Sequence, residues 1–149
     1  MSAVRVSVDI DAPPEQVFEA AMAPERTPDW VTIVIRVEEY DAGPLREGYE
    51  MRQRLCLRGV PFTVVWRLAE LDAPHFARWE GKGPARSKAI IENRLEAVGD
   101  GTRFTYTNEF KTPLGPLGAV AAGALMGGLP EREATASLVR LKALLEVER

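Results

Sequence analysis

A chain of 149 residues with a formal net charge of −3 is the size of a single domain, taken here as 1–149. That charge gives no electrostatic case for nucleic acid or an anionic membrane, both of which call for a basic face. A composition 46% hydrophobic and 28% charged is that of a globular protein with a sizeable core, and one Cys (Cys56) and one His (His75) exclude an internal disulfide and make a zinc site an unusual construction.

The N-terminus "MSAVRVSVDIDAPP" alternates and then turns, with no signal-peptide core, and together with the lone thiol this points to a reducing cytoplasm. In "VRVSVDI" the residues Val4, Val6, Val8 and Ile10 share one side, the mark of a half-buried strand. "DAPPEQVFEAAM" predicts a helix with Asp11 as N-cap, prolines in the first turn, and Val17, Phe18 and Ala21 at helical spacing. "APERTPDW" is too rich in proline for a long helix and predicts one short turn ending at Trp30.

From about Thr32 to Lys111 the period is mostly two, broken by the turn signals "DAGPLREG", "RGVP", "LDAPH", "GKGPA" and "VGDGT". "YEMRQRLCL" sets Tyr49, Met51, Gln53, Leu55 and Leu57 against Glu50, Arg52, Arg54, Cys56 and Arg58. The following runs set Phe62, Val64, Trp66 and Leu68, then Ala77, Trp79 and Gly81, on the same kind of apolar face. Ser87, Ala89, Ile91, Asn93 and Leu95, and finally Phe104, Tyr106, Asn108 and Phe110, continue it. Such alternation describes an antiparallel sheet with one face in water, its strands joined as a meander.

Residues 115–130, "GPLGAVAAGALMGGLP", carry no charge. Leu117–Leu129 falls short of the roughly 20 apolar residues that a membrane span needs. A phosphate loop ends in Gly-Lys-Ser/Thr, and Gly127-Gly128 is followed by Leu129-Pro130. Two readings remain, a plain buried helix and a helix facing a cavity. The chain closes with "EREATASLVRLKALLEVER", an amphipathic helix with Leu138, Leu141, Leu144 and Leu145 for docking and Lys142-Glu146 as an i,i+4 pair. The order β-α-α-β-β-β-β-β-β-α is an α+β fold whose last helix covers the apolar face.

The segments "DAPPEQVFEA", "PERTPDW", "LAELDAP", "GDGTRFTYTNEF" and "PLGPLG…ASLVRLKALLE", in this order and spacing, make nearly the whole chain resemble the START-like (SRPBCC) superfamily, within it the polyketide cyclase/dehydrase-like branch. The resemblance implies a helix-grip fold: a curved antiparallel sheet of about seven strands wrapped around a long C-terminal helix, with two short helices after the first strand. It also implies an internal cavity for a lipophilic molecule. On that footing residues 115–130 are the first half of the gripping helix, with Leu117, Val120, Ala121, Ala124 and Leu125 toward the cavity and a break near Gly127, Gly128 and Pro130. Trp30 is expected at the entrance. The sheet wall is expected from Tyr49, Met51, Gln53 and Leu55, from Phe62, Val64, Trp66 and Trp79, and from Ile91, Asn93, Phe104, Tyr106 and Asn108.

The charged residues of the meander fall mostly on the outward register, so the inner sheet face offers only tyrosines for proton transfer. A Ser-His-Asp set does not assemble around His75, which sits at a strand entrance, and Cys56 shares its register with arginines. No catalytic set maps onto this sequence, and no cofactor or metal is called for. The expected function is binding of a hydrophobic small molecule such as a lipid or polyketide-like aromatic, by a monomer or homodimer. Gln53, Asn93, Tyr106 and Asn108 are the residues able to orient it. The alternatives are a polyketide cyclase/dehydratase-type enzyme and a protein-interaction module of the chaperone-activator kind.

Overall fold

The computed structural model describes residues 2–57, 59–111 and 129–147. Strand β1 (Ser2–Ile10) leads into α1 (Pro14–Met22), a 3-10 turn at Pro24–Arg26 and the single turn of α2 (Thr27–Trp30). Six strands follow: β2 (Val34–Tyr40), β3 (Glu50–Leu57), β4 (Val60–Asp72), β5 (Phe76–Lys82), β6 (Lys88–Val98) and β7 (Gly101–Lys111). Helix α3 (Leu129–Val147) ends the described chain. The strands form one antiparallel sheet in the order β1-β7-β6-β5-β4-β3-β2. Six consecutive strands are thus a meander, and β1 closes against the last of them. The sheet is curved and the arrangement is the helix-grip fold.

Alternation produces the sheet as expected. In β3 the side chains of Gln53 and Leu55 are buried while Glu50 and Arg52 are exposed, and in β1 Ile10 is buried while Arg5, Ser7 and Asp9 are exposed. β2 obeys the rule least, because its pairing with β3 shifts register between Val34 and Arg36 and again between Val37 and Glu39. Each shift rotates the following residues off the alternating pattern and bends the strand. A third shift, between Leu68 and Glu70, bends the long strand β4. The β6–β7 hairpin closes from Val98 to Gly101 through Gly99, whose φ of 59° lies in the left-handed region that glycine enters freely.

The start of α1 departs from the sequence reading. The cap position is Pro13, with Pro14 in the first turn, and Asp11 lies two residues earlier. Fixed φ at two successive prolines delays helical geometry past the aspartate. The Asp11 N–H instead donates to Glu146 Oε2 of α3 at 3.0 Å. Pro130 sits in the first turn of α3, where its missing N–H has no intrahelical partner to lose.

α3 packs chiefly on β1 and α2. Leu138, Leu141 and Leu145 are buried, each 2% exposed or less. They join Ile10, Val17, Leu68, Leu95 and Phe104 in the core. Full burial of such side chains stabilises by about 1.5–3 kcal/mol each, before the entropy of ordering them is set against it. The expected pair is formed: Lys142 Nζ lies 2.6 Å from Glu146 Oε2 and donates to Asp9 O at 2.8 Å. On the outer face, Arg52 meets Glu39 at 3.9 Å and Arg78 meets Glu92 at 3.1 Å. His75 is exposed at the start of β5, and Cys56 is half-buried.

Candidate functional site: a cavity between sheet and helix

The inner sheet face and α3 do not meet everywhere. Between them lies a cavity of about 180 Å³. β3 supplies Met51, Gln53, Leu55 and Leu57 to its wall, and β4 supplies Phe62, Val64 and Trp66. β5 adds Trp79, β6 adds Ala89, Ile91 and Asn93, and β7 adds Tyr106, Asn108 and Phe110. These are alternate residues on each strand, as a pleated wall requires. Opposite them stand Ala21 and Met22 of α1, Thr27 and Trp30 of α2, and Glu133, Ala134, Ser137 and Leu138 of α3.

The room at the sheet wall depends on one glycine. Gly81 of β5 pairs with Trp66 of β4, and a Cβ at residue 81 would lie 2.5 Å from the indole Cζ3. The Trp66 ring therefore lies across Gly81, with its Nε1 donating to Gln53 Oε1 at 2.9 Å. Gln53 Nε2 in turn reaches Met51 Sδ at 3.7 Å, a weak acceptor.

The four expected orienting residues divide into two kinds. The Gln53 carbonyl is engaged by Trp66, and Asn93 Nδ2 donates to Ala77 O at 3.5 Å. Tyr106 and Asn108 have spare capacity. Asn108 Nδ2 donates to Tyr106 OH at 3.2 Å, and Asn108 Oδ1 is buried without a partner among the described residues. Turning the amide over would make the Tyr106 phenol the donor to Oδ1 and leave Nδ2 over, so in either orientation one amide atom is without a partner among the described residues. Burial pushes the Tyr106 phenol up to about 12, while the hydrogen bond from Asn108 acts the other way. Tyr106 is therefore a hydrogen-bond donor near neutral pH and not a base.

The helix wall holds what the strand pattern could not reveal. Thr32, just after α2, donates from its hydroxyl to Glu133 Oε2. Its backbone N–H donates to Ser137 Oγ at 3.0 Å, and Ser137 Oγ–H donates to Glu133 O at 2.8 Å. A carboxylate thus stands in the wall, where the sheet face offers only tyrosine. Trp30 also belongs to the wall. Expected at an entrance, it is 5% exposed, packed edge-on against Phe104 with centroids 6.3 Å apart, and its indole Nε1 has no partner among the described residues.

Two expected wall residues are not in the wall. Phe104 is fully buried beneath Trp30, and Tyr49 packs edge-on against Trp79 at 6.3 Å with Arg46 over its ring. Both have the inward register, but they lie where core side chains fill the space. Leu117, Val120, Ala121, Ala124 and Leu125 lie outside the described residues, as does Arg58. Ala89, Leu57 and Phe110 were already legible in the alternation. Glu133 and Ser137 carried a weaker signal, an i,i+4 polar pair leading into the leucine stripe at Leu141. Among the described residues no three His, Cys, Asp or Glu side chains gather as a metal site, and no helix is long and apolar enough to cross a membrane.

Comparison with known proteins agrees with this architecture. The crystal structure of the ZhuI aromatase/cyclase from Streptomyces sp. R1128 superposes with a TM-score of 0.81 at 18% identity, covering 97% of this chain and 93% of that one. Protein DR_A0006 from Deinococcus radiodurans superposes with a TM-score of 0.73 at 17% identity, each chain covered in full at 100%. Toxin Rv0910 of Mycobacterium tuberculosis H37Rv is 23% identical over 133 residues, which are 88% of this chain and 92% of the toxin. At such identities the likeness is one of fold. The family model described as "Polyketide cyclase / dehydrase and lipid transport" matches residues 1–146, and with it the chain belongs to that family.

Proposed function

We propose that the protein binds a hydrophobic small molecule carrying a carbonyl or similar oxygen in the cavity between sheet and α3, without cofactor or metal. A cavity of about 180 Å³ suits one or two fused rings. For scale, an engineered apolar cavity of about 150 Å³ in another protein holds benzene. The observation that carries the reading is the Tyr106–Asn108 pair in a largely apolar wall. Its phenolic hydrogen and one amide atom are left over, and a few placed polar groups in an apolar pocket are what fix one ligand pose.

Calorimetric titration with tetralin and its ketone 1-tetralone tests this. Both should bind at micromolar strength or weaker, the ketone more tightly. Tyr106→Phe and Asn108→Leu should each weaken the ketone by about 1–3 kcal/mol and leave the hydrocarbon unchanged. Absence of binding by either compound would remove the reading.

A second reading, a polyketide cyclase or dehydratase, is favoured by the superposition on an aromatase/cyclase. Here Tyr106 would donate to a substrate carbonyl as it gains negative charge. Turnover of a poly-β-keto substrate that Tyr106→Phe alone abolishes would put this reading in place of the first.

A further inference from the structure

The cavity has a second polar pole, on the helix side, that the sheet pole does not explain. Trp30 is 95% buried in the wall, and its Nε1 hydrogen meets no acceptor among the described residues. A buried N–H without a partner is unfavourable, and most buried donors are satisfied. Two residues further on, Thr32 holds Glu133 Oε2 through its hydroxyl, and its backbone N–H holds Ser137 Oγ. The carboxylate is thereby fixed on the cavity wall by the same short segment that carries Trp30. Its Oε1 has no protein partner among the described residues.

We propose that this wall is a hydroxyl-binding pole, at which Trp30 Nε1–H donates to, and the Glu133 carboxylate accepts from, one hydroxyl group of the ligand. The chemistry selects that group. An indole N–H only donates and a carboxylate only accepts, so the complementary group must both accept and donate. A phenol or alcohol does both through one oxygen. A ketone or ether satisfies Trp30 alone and leaves the carboxylate facing an oxygen that cannot donate to it. Thr32 is a positioning residue, because it acts through Glu133. The inference rests on the cavity being a ligand site and adds to it the substrate class: a hydroxylated ring compound, with any carbonyl directed to Tyr106 and Asn108.

The test is calorimetric titration of the whole protein with naphthalene, 2-methoxynaphthalene and 2-naphthol. They offer, in turn, no polar group, an acceptor, and an acceptor with a donor. The wild type should bind 2-naphthol roughly tenfold more tightly than 2-methoxynaphthalene, the worth of one good hydrogen bond to a charged group. Glu133→Ala should erase that preference. Trp30→Phe, which keeps an aromatic ring and removes the N–H, should weaken both oxygenated compounds severalfold. Naphthalene is the reference for each protein, so every preference is read as the ratio of an oxygenated compound's affinity to that of naphthalene on the same protein. Far-ultraviolet circular dichroism checks that the variants are folded. If naphthalene binds the wild type and 2-naphthol shows no preference, the hydroxyl pole is overturned and the cavity reading stands. If none of the three binds the wild type, both are overturned.

Discussion

Tyr106 and its neighbour Asn108 show how far single residues could be read. Their inward register was plain from "TRFTYTNEF", and so was that of Gln53 and Asn93. Alternation could not tell which of the four would be consumed by the protein itself. That depends on partners across the sheet: Trp66 for Gln53 and the Ala77 carbonyl for Asn93. Tyr106 also makes a prediction about pH. Its phenol is raised from 10.0 to about 12, burial being the larger cause. Between these values the unfolded chain has lost the proton that the folded chain keeps, so stability is complete below pH 10 and falls as pH rises toward 12. Two units correspond to roughly 3 kcal/mol at the limit. Burial raises Tyr49 in the same direction. Tyr106→Phe should flatten the Tyr106 part of this loss, as urea unfolding at pH 9 and pH 11.5 would show, whereas an unchanged slope would mean that the phenol ionises as freely in the fold as in water.

Among the elements, those with one clean face were legible and those with an interruption were not. β3, β6 and β7 follow period two, so their faces could be assigned residue by residue. β2 could be counted but not bounded, because two register shifts in seven residues break its pattern. The N-cap expected at Asp11 failed for a related reason, since two prolines govern the entry to α1. Gly81 was read as an inward residue of β5, yet the reason for glycine there lies on β4, under the Trp66 ring. Gly81→Ala would place its Cβ 2.5 Å from that ring and 2.9 Å from Val64 Cγ1. The indole must move, its hydrogen bond to Gln53 must stretch, and the wall must advance into the cavity. Destabilisation of about 1–3 kcal/mol in denaturant unfolding is expected, with weaker binding of every cavity ligand. A variant as stable as the parent, with unchanged affinity, would show that the indole has room to spare.

For the molecule as a whole, the order of elements was enough to give the α+β architecture and the strand meander, and the resemblance supplied the grip. The volume enclosed could not be read, because it depends on how Trp30, Trp66 and Phe104 share space that register alone leaves equivalent. The polar bridge from Thr32 to α3 was hidden for another reason: it joins residues 101 and 105 positions apart. Ligand that binds only the folded state should stabilise the whole domain by mass action. At one hundred times its dissociation constant the gain is about 2.7 kcal/mol. Thermal unfolding with and without 2-naphthol measures it, and a midpoint indifferent to ligand concentration would contradict occupancy of the native cavity.

The chain has three tryptophans, and Trp30, Trp66 and Trp79 all stand in the wall of one cavity. The molecule therefore carries no indole that reports on anything else. Its near-ultraviolet emission is in effect the spectrum of the cavity, observed from α2, β4 and β5 at once. A ligand entering between these rings changes the surroundings of every emitter together, while events on the outer face leave the signal unmoved. Replacing the indoles two at a time would turn this one optical signal into three local ones, each recording the arrival of a ligand at a different side of the wall.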